Sequence, residues 1–204
     1  MNSDFFEKST EKNEVDIFEQ EKNMFEKYGE FGSCGEINAK AEQLFNSGDA
    51  QGIRDLAAEN GLPSELAEAY LEGDIPELCD ALTAAAGKLD IEEQDIVMVG
   101  VMEDWLGYIQ AQCLENSELA IAVRSKKKSL KGCLAELLLW SLLNQKKVDK
   151  EILGSVEKAV KTQKIDLKKQ AGIEPRWLQH TRIGIMNMRT AKQLILRYYL
   201  GEAR

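Results

Sequence analysis

Apolar positions along this chain recur three and four residues apart, the spacing that gathers side chains on one face of an α-helix. Ser33 followed by Glu36 makes a capping-box pattern. Ile37, Ala41, Leu44 and Phe45 then repeat until Asn46 and Gly48, which predicts a helix over residues 34–47. Asp49 opens a second helix with Ile53, Leu56 and Ala57 that stops at Asn60-Gly61, and Leu62-Pro63-Ser64 opens a third with Leu66, Ala67, Tyr70 and Leu71. The segments Gly48-Asp49-x-x-x-Ile53-x-Asp55 and Gly73-Asp74-x-x-x-Leu78-x-Asp80 match at a 25-residue offset and suggest two related helical hairpins.

Farther on, Asp90 with Glu93 caps a run holding Ile96, Val97, Val99, Val101, Met102, Trp105, Ile109 and Cys113, which predicts one long, largely buried helix of some 24 residues. Gly100 within it is tolerated at ~1 kcal/mol relative to alanine. A break at Glu115-Asn116-Ser117 precedes a short helix around Leu119–Val123. Ser129 then opens a strongly apolar helix through Leu130, Cys133, Leu134, Leu137 and Leu138, expected at the centre of the second lobe. Ile183-Gly184-Ile185-Met186 reads as a short extended segment. Leu194, Ile195, Tyr198 and Tyr199 return to helical spacing before Gly201, so at least one tyrosine belongs to the core. The expected architecture is all-α: an acidic arm over residues 1–30, flexible or docking, an acidic lobe of helical hairpins over 31–89 and a basic helical bundle over 90–204.

With 44% apolar and 30% charged residues over 204 positions, the chain has the composition of a globular protein. No apolar run approaches the ~18 residues a membrane helix needs, and the first thirty residues are acidic, so neither a signal peptide nor a membrane anchor is expected. Cys34, Cys79, Cys113 and Cys133 are widely spaced without Cys-x-x-Cys, which disfavours a zinc site and a disulfide framework and points to a reducing cytoplasm.

Charge changes the picture more. The formal charge of −9 hides a division: residues 1–120 carry 7 basic and 28 acidic side chains, residues 121–204 carry 19 and 7. Such asymmetry points to a charged partner, most often nucleic acid for the basic part, unless the halves fold together and cancel internally.

His180 is the only histidine, which excludes a His-rich metal site or a two-histidine relay, and no phosphate-binding glycine motif or nucleophile elbow occurs. His180 itself reads as a surface or hydrogen-bonded residue. The expectation is a protein without catalysis, cofactor or metal.

The candidate residues therefore concern binding. Residues 56–70 have the outline of a helix-turn-helix, yet the second helix offers Glu65, Glu68 and Glu72, with Asp74 and Glu77 beyond, and would repel a phosphate backbone. These five carboxylates are either a solvated face or a surface for a basic protein, in which carboxylates stand in for phosphates. Arg124, Lys126, Lys127, Lys128 and Lys131 gather at the start of the apolar helix, where the macrodipole disfavours cations. Either they form a solvated loop or an anion joins them at the free N–H groups of that helix end. A second basic group includes Lys168, Lys169, Arg176, Arg182, Arg189 and Lys192, with Trp177 among them, the mixture by which cationic grooves stack and hold single strands.

Trp105 through Leu143, with Lys127-Lys128-Ser129-Leu130-Lys131-Gly132-Cys133 at its centre, resembles the PcfK-like proteins of conjugative elements in Gram-positive bacteria. Arg197-Tyr198-Tyr199-Leu200-Gly201 is similar to the endings of related mobile-element proteins. The resemblance covers about forty residues, leaves residues 1–90 outside it, and implies carriage on a plasmid, conjugative element or phage.

Together the readings lead to a non-enzymatic binding protein whose basic lobe engages nucleic acid and whose acidic lobe engages a basic protein surface. A nucleoprotein enzyme satisfies both, which makes an anti-CRISPR inhibitor of an effector nuclease the favoured picture. An accessory DNA-binding role in conjugative transfer is the alternative. A metal-dependent hydrolase or nuclease, the third class, would require turnover that disappears with specific carboxylates.

Overall fold

The computed structural model describes residues 25–174, 178 and 180–201, and the chain is all-α. The proposed arm lies almost wholly outside these residues, as do Arg176 and Trp177.

Three helices build the first core. Helix α1 (Cys34–Asn46) is capped as expected: Ser33 accepts from the Glu36 N–H, and the Glu36 carboxylate accepts from the Gly32 N–H at 2.8 Å. Helix α2 (Ala50–Glu59) starts at Asp49, which accepts from the Gly52 N–H, and α3 (Ser64–Glu72) ends at Gly73 in the left-handed conformation. Ile37, Ala41, Ile53, Leu56 and Ala67 meet in this core at almost no exposure.

The 25-residue match does not make a second hairpin. After Gly73 the chain runs through bends to Asp80, because Pro76 disfavours the helical region for the residue before it. Leu78 is drawn into the core. The Cys79 N–H donates to the Asn38 side chain at 3.0 Å and the Cys79 carbonyl accepts from it at 2.8 Å, in place of helical neighbours.

Helix α4 (Ala81–Gln94) lies between two cores, and its first half is an addition to the helices that the apolar spacing predicts. Asp80 caps it, accepting from the Thr83 N–H at 2.7 Å. Ala84 faces the first core, whereas Ala85 and Leu89 face the second, so the helix runs across the division drawn at residues 89 and 90. Gly87 meets the α2–α3 turn so closely that a Cβ there would sit 2.3 Å from the Asn60 carbonyl oxygen.

The single long helix expected from Asp90 is a second correction. Helix α4 ends at Gln94 and α5 (Val101–Glu115) begins only after Gly100, whose φ of +51° lies outside the helical region, with Val97 and Val99 exposed between them. Asn116 caps α6 (Ser117–Arg124) and Ser129 caps α7 (Leu130–Leu143). Beyond α7 come β1 (Lys146–Lys147), α8 (Lys150–Thr162), α9 (Leu167–Ala171), β2 (Arg182–Ile183) and α10 (Met188–Leu200).

The two short strands pair antiparallel, with Lys146 opposite Ile183 and Lys147 opposite Arg182; of the expected extended segment Ile183–Met186 only Ile183 lies in the strand. The second core unites α4, α5, α6, α7 and α10 around Ile109, Leu119, Leu130, Leu137, Ile195 and Tyr199. Each fully buried Leu or Ile there contributes about 1.5–3 kcal/mol relative to an exposed one. No helix among the described residues is long and apolar enough to cross a membrane.

Candidate nucleic-acid interface

The α6–α7 corner carries the first basic group, and its backbone is fixed from beneath by a buried cation. Lys88 of α4, with its side chain wholly shielded from solvent, donates to the carbonyls of Ser125 at 2.8 Å and Lys128 at 2.7 Å and pairs with Glu30 at 2.7 Å. Glu92, one turn farther along α4, stands 3.7 Å from the same ammonium and accepts the Leu130 N–H at 2.7 Å. Burial pushes the Glu92 carboxyl above the usual range, opposed by the Leu130 N–H and by Lys88.

The expected anion site at the start of α7 is therefore occupied from within. Glu92 takes the Leu130 N–H, the Ser129 hydroxyl takes the Gly132 N–H, and the Ser129 N–H donates to the Tyr198 hydroxyl at 3.1 Å. A visiting phosphate would find lysine side chains here rather than a ring of free N–H groups. At Gly132 a Cβ would lie 2.3 Å from the Tyr198 hydroxyl oxygen, so any larger residue there would displace the tyrosine ring.

The basic side chains of this group separate into three kinds. Arg124 is buried and cannot reach a nucleic acid as its place in the basic run suggests: its guanidinium donates to the Asn60 side-chain oxygen at 2.5 Å and the Ala84 carbonyl at 3.3 Å, and its carbon lies 5.9 Å from the Phe25 ring centroid. Burial lowers its pKa, and its Nε has no hydrogen-bond partner among the described residues. Lys128 is half-buried, its ammonium over the Tyr198 ring and donating to the Tyr198 carbonyl. Lys126, Lys127 and Lys131 are exposed, Lys126 lying 3.7 Å from Glu36.

The second basic group is distributed over several elements. Lys168 pairs with Glu174 and Lys169 with Asp166, both lysines reaching solvent on α9. Arg182 sits beside Lys147 in the strand pair and donates to the Gln145 carbonyl. Arg189 and Lys192 are exposed on α10, the latter over the Tyr108 ring at 4.7 Å. Of the two tyrosines, Tyr199 is core and Tyr198 supports the α7 corner, so neither is a free stacking platform.

On the acidic side, Glu65, Glu68, Glu72, Asp74 and Glu77 are all exposed. Glu68 takes both arms of the Arg54 guanidinium at 2.6 and 3.0 Å, which holds its carboxyl below the usual range. Glu77 accepts from Asn38 at 3.4 Å.

The ion pairs follow the charge division. Among the described residues Lys27–Asp55, Arg54–Glu68, Lys88–Glu30 and Lys88–Glu92 lie within the first 120 residues, and Lys168–Glu174, Lys169–Asp166 and Arg197–Glu136 within the remainder. Only Lys126–Glu36 crosses. Burial pushes the thiols of Cys79 and Cys133 up to about 12 and that of Cys113 to about 11, so all three stay protonated at neutral pH. No cluster of three His, Cys, Asp or Glu side chains suited to a metal occurs among the described residues. Comparison of the chain with protein-family models, with curated proteins and with solved structures finds no match in any of the three.

Proposed function

We propose that this chain is a non-enzymatic binding protein whose cationic half engages nucleic acid, alone or within a nucleoprotein, while its anionic half engages a basic protein surface. One observation carries the reading: among the described residues the halves do not neutralise each other on the surface, since a single exposed pair, Lys126–Glu36, crosses between them. Lys127, Lys131, Lys146, Lys147, Arg182, Arg189 and Lys192 are left facing solvent. Exposed cations spread over several elements suit backbone contacts without sequence readout.

A nucleoprotein enzyme offers both charges to such a molecule, and a CRISPR effector nuclease is the target the charge division favours. The resemblance of Trp105–Leu143 to PcfK-like proteins supports the second reading, an accessory of conjugative DNA processing.

Retention of the purified protein on single- and double-stranded DNA and RNA over a salt series tests the shared claim. Binding should weaken linearly in log–log form, with a slope of about one unit per phosphate contact. No retention at about 50 mM salt would remove it. Inhibition of target cleavage by an effector nuclease, against stimulation of relaxase nicking, then separates the two roles.

A further inference from the structure

We infer that the groove between α4, α5 and the α2–α3 turn is a docking site for a basic amphipathic helix of a partner protein. The inference deepens the anionic half of the proposed function and rests on that half alone.

The groove encloses about 570 Å³, within the size range of specific binding clefts. Its floor is made by small residues. Gly61 and Gly87 bring the α2–α3 turn against α4, where a Cβ on either glycine would lie 2.3 Å from a backbone oxygen of the other segment. Ala86 and Ala111 line the two helix walls with small side chains that leave room between them, and Leu82 and Leu114 supply apolar flanks. Leu114 is 71% exposed, so an apolar rim stands open to water beside the cleft.

Charge selects the occupant. The lining of the groove holds one charged side chain, the exposed carboxylate of Asp90, and no cation. Lys88, the cation of α4, is wholly buried beneath the α6–α7 corner and does not reach the groove. Asp90 lines the opening, and Glu115 follows Leu114 at the end of α5. A helix that presents an apolar ridge flanked by lysine or arginine fills the floor with the ridge and meets the carboxylates with its flanks. A neutral or acidic helix gains the first contact and loses the second.

The test uses the full chain and a synthetic helical peptide of repeated Leu-Lys-Lys-Leu-Leu-Lys-Leu sequence. Amide shifts in a 15N-labelled sample should move at Gly61, Gly87, Gln110 and Ala111. A111W, which fills the groove, should weaken binding by about tenfold or more. L114K alters an exposed position, leaves the fold intact and should weaken binding severalfold through charge. A peptide with serine in place of leucine should bind at least ~10-fold less tightly. Equal binding by the serine peptide, unchanged affinity in both variants, or shifts confined to other surfaces would overturn the inference. A small apolar molecule that moves the same amides while the peptide does not would overturn it too. Nucleic-acid retention by A111W reports separately on the cationic half: its absence from the wild type as well removes that half and leaves the docking site standing.

Discussion

Lys88 and Arg124 on one side, Lys127 and Lys131 on the other, are residues of the same sign in neighbouring parts of the fold with opposite placements. The first two are buried and hold the two cores and the α6–α7 corner together; the second two project from that corner into water. Helix register makes the difference. Ala84, Ala85, Lys88, Leu89 and Glu92 fall on one face of α4, and Ala120, Val123 and Arg124 on one face of α6. Lys126 and Lys127 lie past the last turn of α6, where no such face exists. A run of basic residues is therefore not one object: Arg124 is part of the interior, Lys128 is held against Tyr198, and Lys126, Lys127 and Lys131 are surface.

Removing the buried member should produce the largest effect. Lys88→Met leaves Glu30 and Glu92 without their cation and the carbonyls of Ser125 and Lys128 without a donor. Loss of one partner from a buried pair typically costs 3–5 kcal/mol, so urea unfolding should show a loss of about that size. A loss no larger than that of an exposed lysine would break the comparison. Gly87→Ala should follow at about 1–3 kcal/mol, since its Cβ meets backbone rather than a movable side chain.

Carboxylates sharpen the same contrast through pH. Burial raises the Glu92 pKa, so its contribution is fully present at acid pH and is lost as pH rises through its folded value. Asp80 is the reverse. The Thr83 N–H lowers its pKa, so its contribution is present above the usual carboxylate range and is lost as pH falls through the depressed folded value. Glu92→Gln should therefore remove a falling slope from the stability profile at weakly acid pH, and Asp80→Asn a rising slope at more acid pH. Asp80→Ala should also cost about 1 kcal/mol near neutrality through loss of the cap.

Much of this was legible from spacing alone. Ser33, Asp49 and Ser129 mark real helix starts because a short polar side chain before an apolar period satisfies free N–H groups wherever it occurs, whereas Glu115-Asn116-Ser117 reads only as a break and the structure makes Asn116 the cap of α6. Helix α4 was obscured for two reasons. Its start looked like a copy of the Asp49 hairpin until Pro76 intervened, and its end merged with the apolar run that Gly100 divides. Arg124 is hidden as one member of a basic run, although its position four residues after Ala120 places it on the apolar face. The groove left no such signal. It depends on Gly61 and Gly87, far apart in sequence, meeting across two helical units, and no local period encodes that approach.

The smallest effect on stability should come from the two lysines to which the proposed function gives nucleic-acid contacts. Lys127 and Lys131 are exposed and form no ion pair with the described residues, so replacing both with alanine should leave the unfolding midpoint where it is. Their loss should instead shallow the salt dependence of nucleic-acid retention by about one unit for each phosphate contact removed, equally across sequences. Lys128→Ala is the control that gives this outcome meaning. Lys128 is tied to the Tyr198 ring and carbonyl, so its removal should lower the midpoint and change the slope less. If all three substitutions altered stability and slope alike, the corner would be uniform surface and the distinction between inward and outward cations would not govern binding.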